Sequence, residues 1–215
     1  MTTLKLASYQ EQHLRWPTNG RHIMAQYDDQ SIIVYQAYSP AIGHFAARHH
    51  YFGGDFSYSR MSWIKPNFLW MMYRSGWGTK PNQEVTLAIR LKRTYFDALL
   101  HEAVASSYSE TEFATREEWQ RAVTNSDVRL QWDPDHNPSG EREERRAMQL
   151  GLRGQVLQGF KGEAIISIED ISSLVAEQQV NAMKEKHANL MTPLETVYPV
   201  TDSSVRNRLG MDISP

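Results

Sequence analysis

Apolar residues recur along this chain at two spacings, and the switches between them lay out an α+β domain. Two β-prone runs, 22–27 and 31–38, flank Asp28, Asp29 and Gln30, and the Asp pair supplies the turn chemistry of a hairpin. Ser39-Pro40 then starts a helix over 40–51, with Ser suited to the N-cap and Pro to the first turn. Ile42, Phe45, Ala46 and His49 share one side of it, and Gly53-Gly54 ends it. A short strand at 62–65 runs into a helix at 66–75 that stops at Gly76. The run 84–91 reads as a strand, 94–105 as a helix with Phe96, Leu99, Leu100 and Val104 at helical spacing, and 112–124 as a more exposed helix. Strands follow at 128–132, 146–152 and 164–168, with a helical turn at 154–160 and a helix over 170–187. Between the first two of these strands, 133–140 reads as a loop and the densely charged run 141–146 as surface. The pattern predicts a single α+β domain over 1–200, with a central, mostly antiparallel sheet flanked by helices and 201–215 as a C-terminal tail.

Composition narrows the functional classes. With 40% hydrophobic residues among 215, the chain can bury a sizeable core, yet no stretch approaches the ~18 consecutive apolar residues of a membrane span, so no membrane partner is expected. The N-terminal Met1–Ala7 stretch has one lysine and no long apolar run, unlike a secretory signal. Cysteine is absent, which excludes disulfides, thiol catalysis and cysteine-bound metal and fits a cytoplasmic protein. The net charge of −2 argues against a strongly basic nucleic-acid binder while leaving room for a local basic groove.

Candidate chemistry is densest from Met61 to Gly78. Pro66 disfavours a helical conformation at Lys65 and suits a helix start, so strand changes to helix there. Such a junction directs free backbone N–H groups and a positive helix end outward, a seat for phosphate or carboxylate. Lys65 sits at that seat and Arg74 lies two turns on, with Trp63, Tyr73 and Trp77 around them. Cations beside aromatics suit a nucleotide, with the base on a ring and phosphate on the amides and guanidinium. Phe68, Leu69, Met71 and Met72 read as core, and Trp70 as core before ligand platform.

The first hairpin adds Arg21, Tyr35, Gln36 and Tyr38, polar-tipped groups on or beside apolar strands; if buried they need partners, which a ligand can supply. A single pocket lined by both segments is therefore expected, with Arg21 and Gln36 facing Trp63 and Lys65. A third region pairs Gln131 with Gln149 on strand-like runs. Asp133, Asp135 and His136 are metal-type ligands, but no second histidine stands at a suitable spacing, so no metal is expected. Nucleophile-elbow, P-loop, Rossmann and HExxH patterns are absent from the sequence.

Several motifs together resemble a bacterial and fungal family of domains of unknown function: Val34-Tyr35-Gln36-Ala37-Tyr38, Trp63-Ile64-Lys65-Pro66 with Phe68–Trp77, Gln131-Trp132-Asp133-Pro134, and Gln149-Leu150-Gly151-Leu152. The resemblance spans roughly residues 15–200. At the level of element order the chain is also similar to ADP-ribosyltransferases, in which strand, helix, strand, helix and strand follow one another. That similarity implies that Arg21 or Gln36 holds the nicotinamide ribose, that Trp63 stands near the second motif, and that Gln149, or less well Glu169, takes the third. The chain departs from the pattern in lacking a His on the first full strand and a Glu in the third motif.

The expected function is accordingly an NAD-using, ADP-ribosyltransferase-like enzyme that modifies a nucleobase or other acceptor. Arg21, Gln36 and Gln149 would form its catalytic group; Tyr35, Tyr38, Trp63, Lys65, Tyr73, Arg74 and Trp77 would bind the ligand. The alternative is a non-catalytic module that binds a nucleotide or single-stranded nucleic acid through stacking and phosphate contacts.

Overall fold

In the computed structural model, which describes residues 4–110, 112–183 and 187–212, alternating apolar positions build two main sheets. In chain order the elements begin with β1 (Leu6–Ser8), α1 (Tyr9–His13), β2 (Met24–Ala25), β3 (Ser31–Tyr38), α2 (Pro40–His49), β4 (Ser62–Ile64) and α3 (Phe68–Ser75). There follow β5 (Val85–Lys92), α4 (Arg93–Glu102), β6 (Val104–Ala105), α5 (Arg116–Asn125), β7 (Val128–His136) and β8 (Arg142–Leu152). The chain continues with α6 (Gly154–Gln158), β9 (Ile165–Asp170), α7 (Ser172–Ala182), β10 (Met191–Pro193), β11 (Thr196–Val197) and α8 (Ser203–Arg208). One sheet has the order β3-β5-β9 and the other β4-β8-β7-β6; only the β6–β7 pairing is parallel. This is an α+β fold with a mostly antiparallel framework, as the pattern predicts, but the strands form two main sheets rather than one central sheet.

Two apolar clusters hold it together, one on each face of β3. Ile32 and Val34 pack into the larger, with Leu87, Ile89, Leu130, Met148 and Leu150; Ile33 and Tyr35 point the other way, onto Phe68, Leu69 and Met72 of α3. Period-2 alternation thus decides which side chain faces which layer. Besides this shared packing, a backbone bridge joins the two sheets: Tyr35 N–H donates to the Lys65 carbonyl at 2.7 Å and Lys65 N–H to the Tyr35 carbonyl at 3.2 Å.

Several expectations need correction. The stretch 133–140 is not simply a loop: β7 runs on to His136, pairing Pro134 with Arg146, with a bulge before His136. The charged run at 141–146 is not all surface, because β8 starts at Arg142 and Arg145 is buried. The helix expected from Pro66 starts at Phe68, with Asn67 as N-cap accepting from Trp70 N–H at 2.7 Å. The helix read over 170–187 covers Ser172–Ala182; residues 184–186 lie outside the described ones. Within the expected tail, α8 packs down, with Val205 and Leu209 buried and the Leu209 carbonyl accepting from Trp132 Nε1 at 2.9 Å; residues 213–215 lie outside the described ones.

The ends of the chain are tied to each other. β1 pairs with β10 and β2 with β11. Buried Gln12 bonds Thr192 Oγ1 at 2.9 Å through its amide nitrogen and accepts from Glu195 N–H at 2.8 Å.

Candidate functional site

The Tyr35–Lys65 contact is an isolated bridge; beyond it β3 and β4 belong to different sheets, and side chains rather than backbone bonds join them. Gln36 Nε2 donates to Ser62 Oγ at 2.7 Å and to the Trp63 carbonyl at 3.0 Å, and the Tyr38 hydroxyl stands 2.7 Å from Ser62 Oγ. Gln36 is 2% exposed and its Oε1 has no protein partner among the described residues, an acceptor left over in the wall of a cavity. The splay opens into a chamber of about 650 Å³ lined by Gln36, Tyr38, Trp63, Lys65 and Arg74 among others. A second chamber of about 460 Å³ is lined by Trp63, Lys65, Trp70, Arg74, Gln131, Asp133 and Gln149. Trp63, Lys65 and Arg74 border both, so the two are halves of one cleft.

Strand register sets the floor of the second half. Trp63 lies opposite Gly151, and Ile64 opposite Leu150, which carries Lys65 towards the row where Gln149 faces Gln131. Leu130, Leu150 and Ile64 turn into the core, so the alternate residues Gln131, Asp133, Gln149, Trp63 and Lys65 turn to the cleft. Gly151 gives the Trp63 indole room there: a Cβ would lie 3.0 Å from that ring and 2.6 Å from Met61 Sδ, so both side chains would have to shift. Asp133 is gripped from both sides, its Oδ1 accepting from Gln131 Nε2 at 2.7 Å and its Oδ2 from Gln149 Nε2 at 2.6 Å. Lys65 is 7% exposed; burial, reinforced by the Arg74 guanidinium and opposed by the Asp133 carboxylate, brings its ammonium down to about 8. Among the described residues, no hydrogen bond or ion pair engages the Lys65 amine or the Arg74 guanidinium.

Residues 22–198 match the family described as Domain of unknown function (DUF4291). The chain belongs to the DUF4291 family. This is the relationship that the motifs at 34–38, 63–77, 131–134 and 149–152 predict. Every cleft residue named above lies within the DUF4291 span, while Arg21 and α8 lie outside it. No curated protein matches the chain.

The structure brings Gln36, Tyr38, Trp63, Lys65, Arg74 and Gln149 to this DUF4291 cleft and places the other expected site residues elsewhere. Arg21 lines neither chamber: its backbone bridges Arg146, its N–H donates to Asp212 at 2.7 Å and its guanidinium to the Gly210 carbonyl at 3.4 Å. Tyr35 is fully buried, edge-on to Phe68 with ring centroids 5.4 Å apart, because an odd position on β3 faces α3. Trp77 is buried in the same cluster. Tyr73 spends its ring face on His136, with centroids 3.5 Å apart, and lines neither chamber.

The helix-start anion seat is also filled from within. Phe68 N–H donates to Glu195 Oε1 at 2.7 Å, and burial pushes the Glu195 carboxyl well above the usual carboxylate range. The metal-type trio is dispersed too: Asp135 pairs with Arg145, His136 lies under Tyr73, and only Asp133 faces the cleft. Sequence reasoning weighed Asp133 only as a metal ligand; its pairing with two glutamines comes from the β7–β8 register. Among the described residues, no helix is long and apolar enough to cross a membrane.

Proposed function

We propose that the cleft binds NAD and that the protein transfers ADP-ribose from it to an acceptor such as a nucleobase. The observation that carries this reading is Asp133, a carboxylate held rigid by Gln131 and Gln149 in a cleft that also presents Lys65, Arg74 and the Trp63 indole. NAD supplies a ribosyl carbon whose bond to nicotinamide breaks, the bonding pair leaving with the ring while the acceptor's nucleophile takes its place and sheds a proton. Asp133 offers fixed negative charge where positive charge grows, and two amide donors keep it aimed without reorganisation. Gln149 is then a positioning residue, and the carboxylate missing from its own place in the sequence pattern comes from its partner. Lys65 and Arg74 supply charge for the pyrophosphate, Trp63 a flat apolar face, and Gln36 Oε1 an acceptor for a ribose hydroxyl.

Calorimetry with NAD and a nicotinamide-release assay with labelled NAD and cell extract test the reading. Binding together with release and label transfer is expected; neither binding nor release would end it. Binding without release, weakening steeply with salt, would favour the non-catalytic nucleotide or single-strand module instead. Arg74→Ala, at an exposed position, should weaken NAD by about 1.5–3 kcal/mol with melting unchanged. Affinity should also fall as pH rises above about 8, because Lys65 is a cation below that value and a neutral amine above it. Lys65→Arg, charged throughout, should remove that fall.

A further inference from the structure

We propose that Lys65 is an amine nucleophile that captures small aldehydes or ketones bearing a phosphate or carboxylate, forming an imine in the cleft. Three placements argue for it. Lys65 borders both chambers, so a ligand in either half can approach it. Its amine is not engaged by any side-chain bond among the described residues, whereas the Lys80 ammonium donates to the Arg74 carbonyl at 2.8 Å and the Lys161 ammonium lies 5.1 Å over the Tyr58 ring. And it stands between a cation and an anion that divide the remaining work.

The charged groups facing Lys65 are Arg74 of α3 and Asp133 of β7, with Asp55 and Arg60 bordering the larger chamber. Arg74 disfavours the ammonium form and offers a guanidinium to the anionic end of the captured molecule. In the reaction the lysine lone pair adds to the carbonyl carbon, and the C=O π pair moves to oxygen. Asp133 relays the two protons of the nitrogen, one after the other, to that oxygen, which departs as water and leaves a C=N bond. Burial lowers the proton affinity of Lys65 without lengthening its reach, so a reactive share of free amine is present at neutral pH. The NAD reading and this one use the same side chain in different states: an anion without a carbonyl holds Lys65 as a cation and protects it.

The test is reductive trapping of the intact protein with glyceraldehyde 3-phosphate, pyruvate or uncharged glyceraldehyde and cyanoborohydride, followed by peptide mass mapping. Glyceraldehyde 3-phosphate and pyruvate should both modify Lys65, the phosphate arm identifying a phosphate-bearing and the pyruvate arm a carboxylate-bearing capture. At pH 7, Lys65 should react up to roughly three-hundredfold faster than exposed lysines, since a lysine at about 8 holds that much more free amine than one at its ordinary value. Pyrophosphate should suppress the adduct, Lys65→Arg should lose it, and Arg74→Ala should erase the preference over glyceraldehyde. Adducts spread over the lysines with no excess at Lys65 would overturn the proposal, and equal labelling by glyceraldehyde would overturn its anionic part. The wild-type map decides without any variant having to fold. Nicotinamide release has no part in it, so this proposal and the NAD reading can fail separately.

Discussion

Arg145→Ala is expected to cost the domain about 3–5 kcal/mol, a large part of the roughly 5–15 kcal/mol that holds a domain folded. Asp135 is wholly buried, and Arg145 Nε and Nη2 donate to its Oδ2 at 2.9 and 2.6 Å. The same guanidinium donates to the Pro17 carbonyl at 2.7 Å and lies 5.2 Å over the Trp16 ring. Truncation removes all of these and leaves a carboxylate in the interior with no cation against it. The size of the effect comes from that orphaned charge more than from the pair's net worth. Adding Asp135→Asn to Arg145→Ala should therefore recover part of the loss, a coupling that two independent sites would not show. Urea unfolding of the two single variants and the double variant measures it. A loss under 1 kcal/mol for Arg145→Ala would mean that water reaches Asp135.

The second large effect concerns rate. Asp133→Asn should lower nicotinamide release by about 10²–10³-fold, the range seen when one preorganised electrostatic group is removed from an active site. Shape is kept and charge is lost. Its new amide also cannot accept from both Gln131 and Gln149, so one glutamine must turn its oxygen inward. NAD affinity should change far less, because the proposed reading assigns the phosphates to Lys65 and Arg74 rather than to Asp133. Single-turnover release at saturating NAD, beside a melting curve, separates the outcomes. An unchanged rate in a folded variant would remove Asp133 from the chemistry.

Where the sequence could be read and where it could not follows from the range of the interactions. The strand at 31–38 was legible to its boundaries because Ile32, Ile33, Val34 and Tyr35 are β-formers buried on both faces. The charged run at 141–146 hid a strand because Arg142, Glu144 and Arg146 point out while the inward positions, half-buried Glu143 and buried Arg145, are themselves charged; the partner of Arg145, Asp135, is on another strand. Asp133-Pro134 imitates a turn, yet Pro134 lies beyond the two residues at which β6 pairs with β7, where a missing N–H costs no ladder bond on that side. Lys65, Arg74 and Trp63 could be found because strand, proline and helix follow one another locally. Asp133 could not, since its role depends on a cross-strand neighbour. Aromatic identity likewise did not tell Trp63, which borders the cleft, from Tyr35 and Trp77, which fill the core: only the facing element decides that.

The Glu195 carboxyl that completes the start of α3 has a bearing on how the protein is made. A ribosome releases residues 62–75 long before residue 195, so the nascent chain carries its central motif with Phe68 N–H unanswered and Trp16 Nε1 without the Glu195 carbonyl it bonds at 2.9 Å. The partners of β1 and β2 arrive in the same late segment. Folding of this domain is therefore completed only once residues 191–197 have been made, and a chain stalled before residue 191 presents an unpaired Phe68 N–H at the start of α3 and unpaired strand edges to the chaperones that meet it.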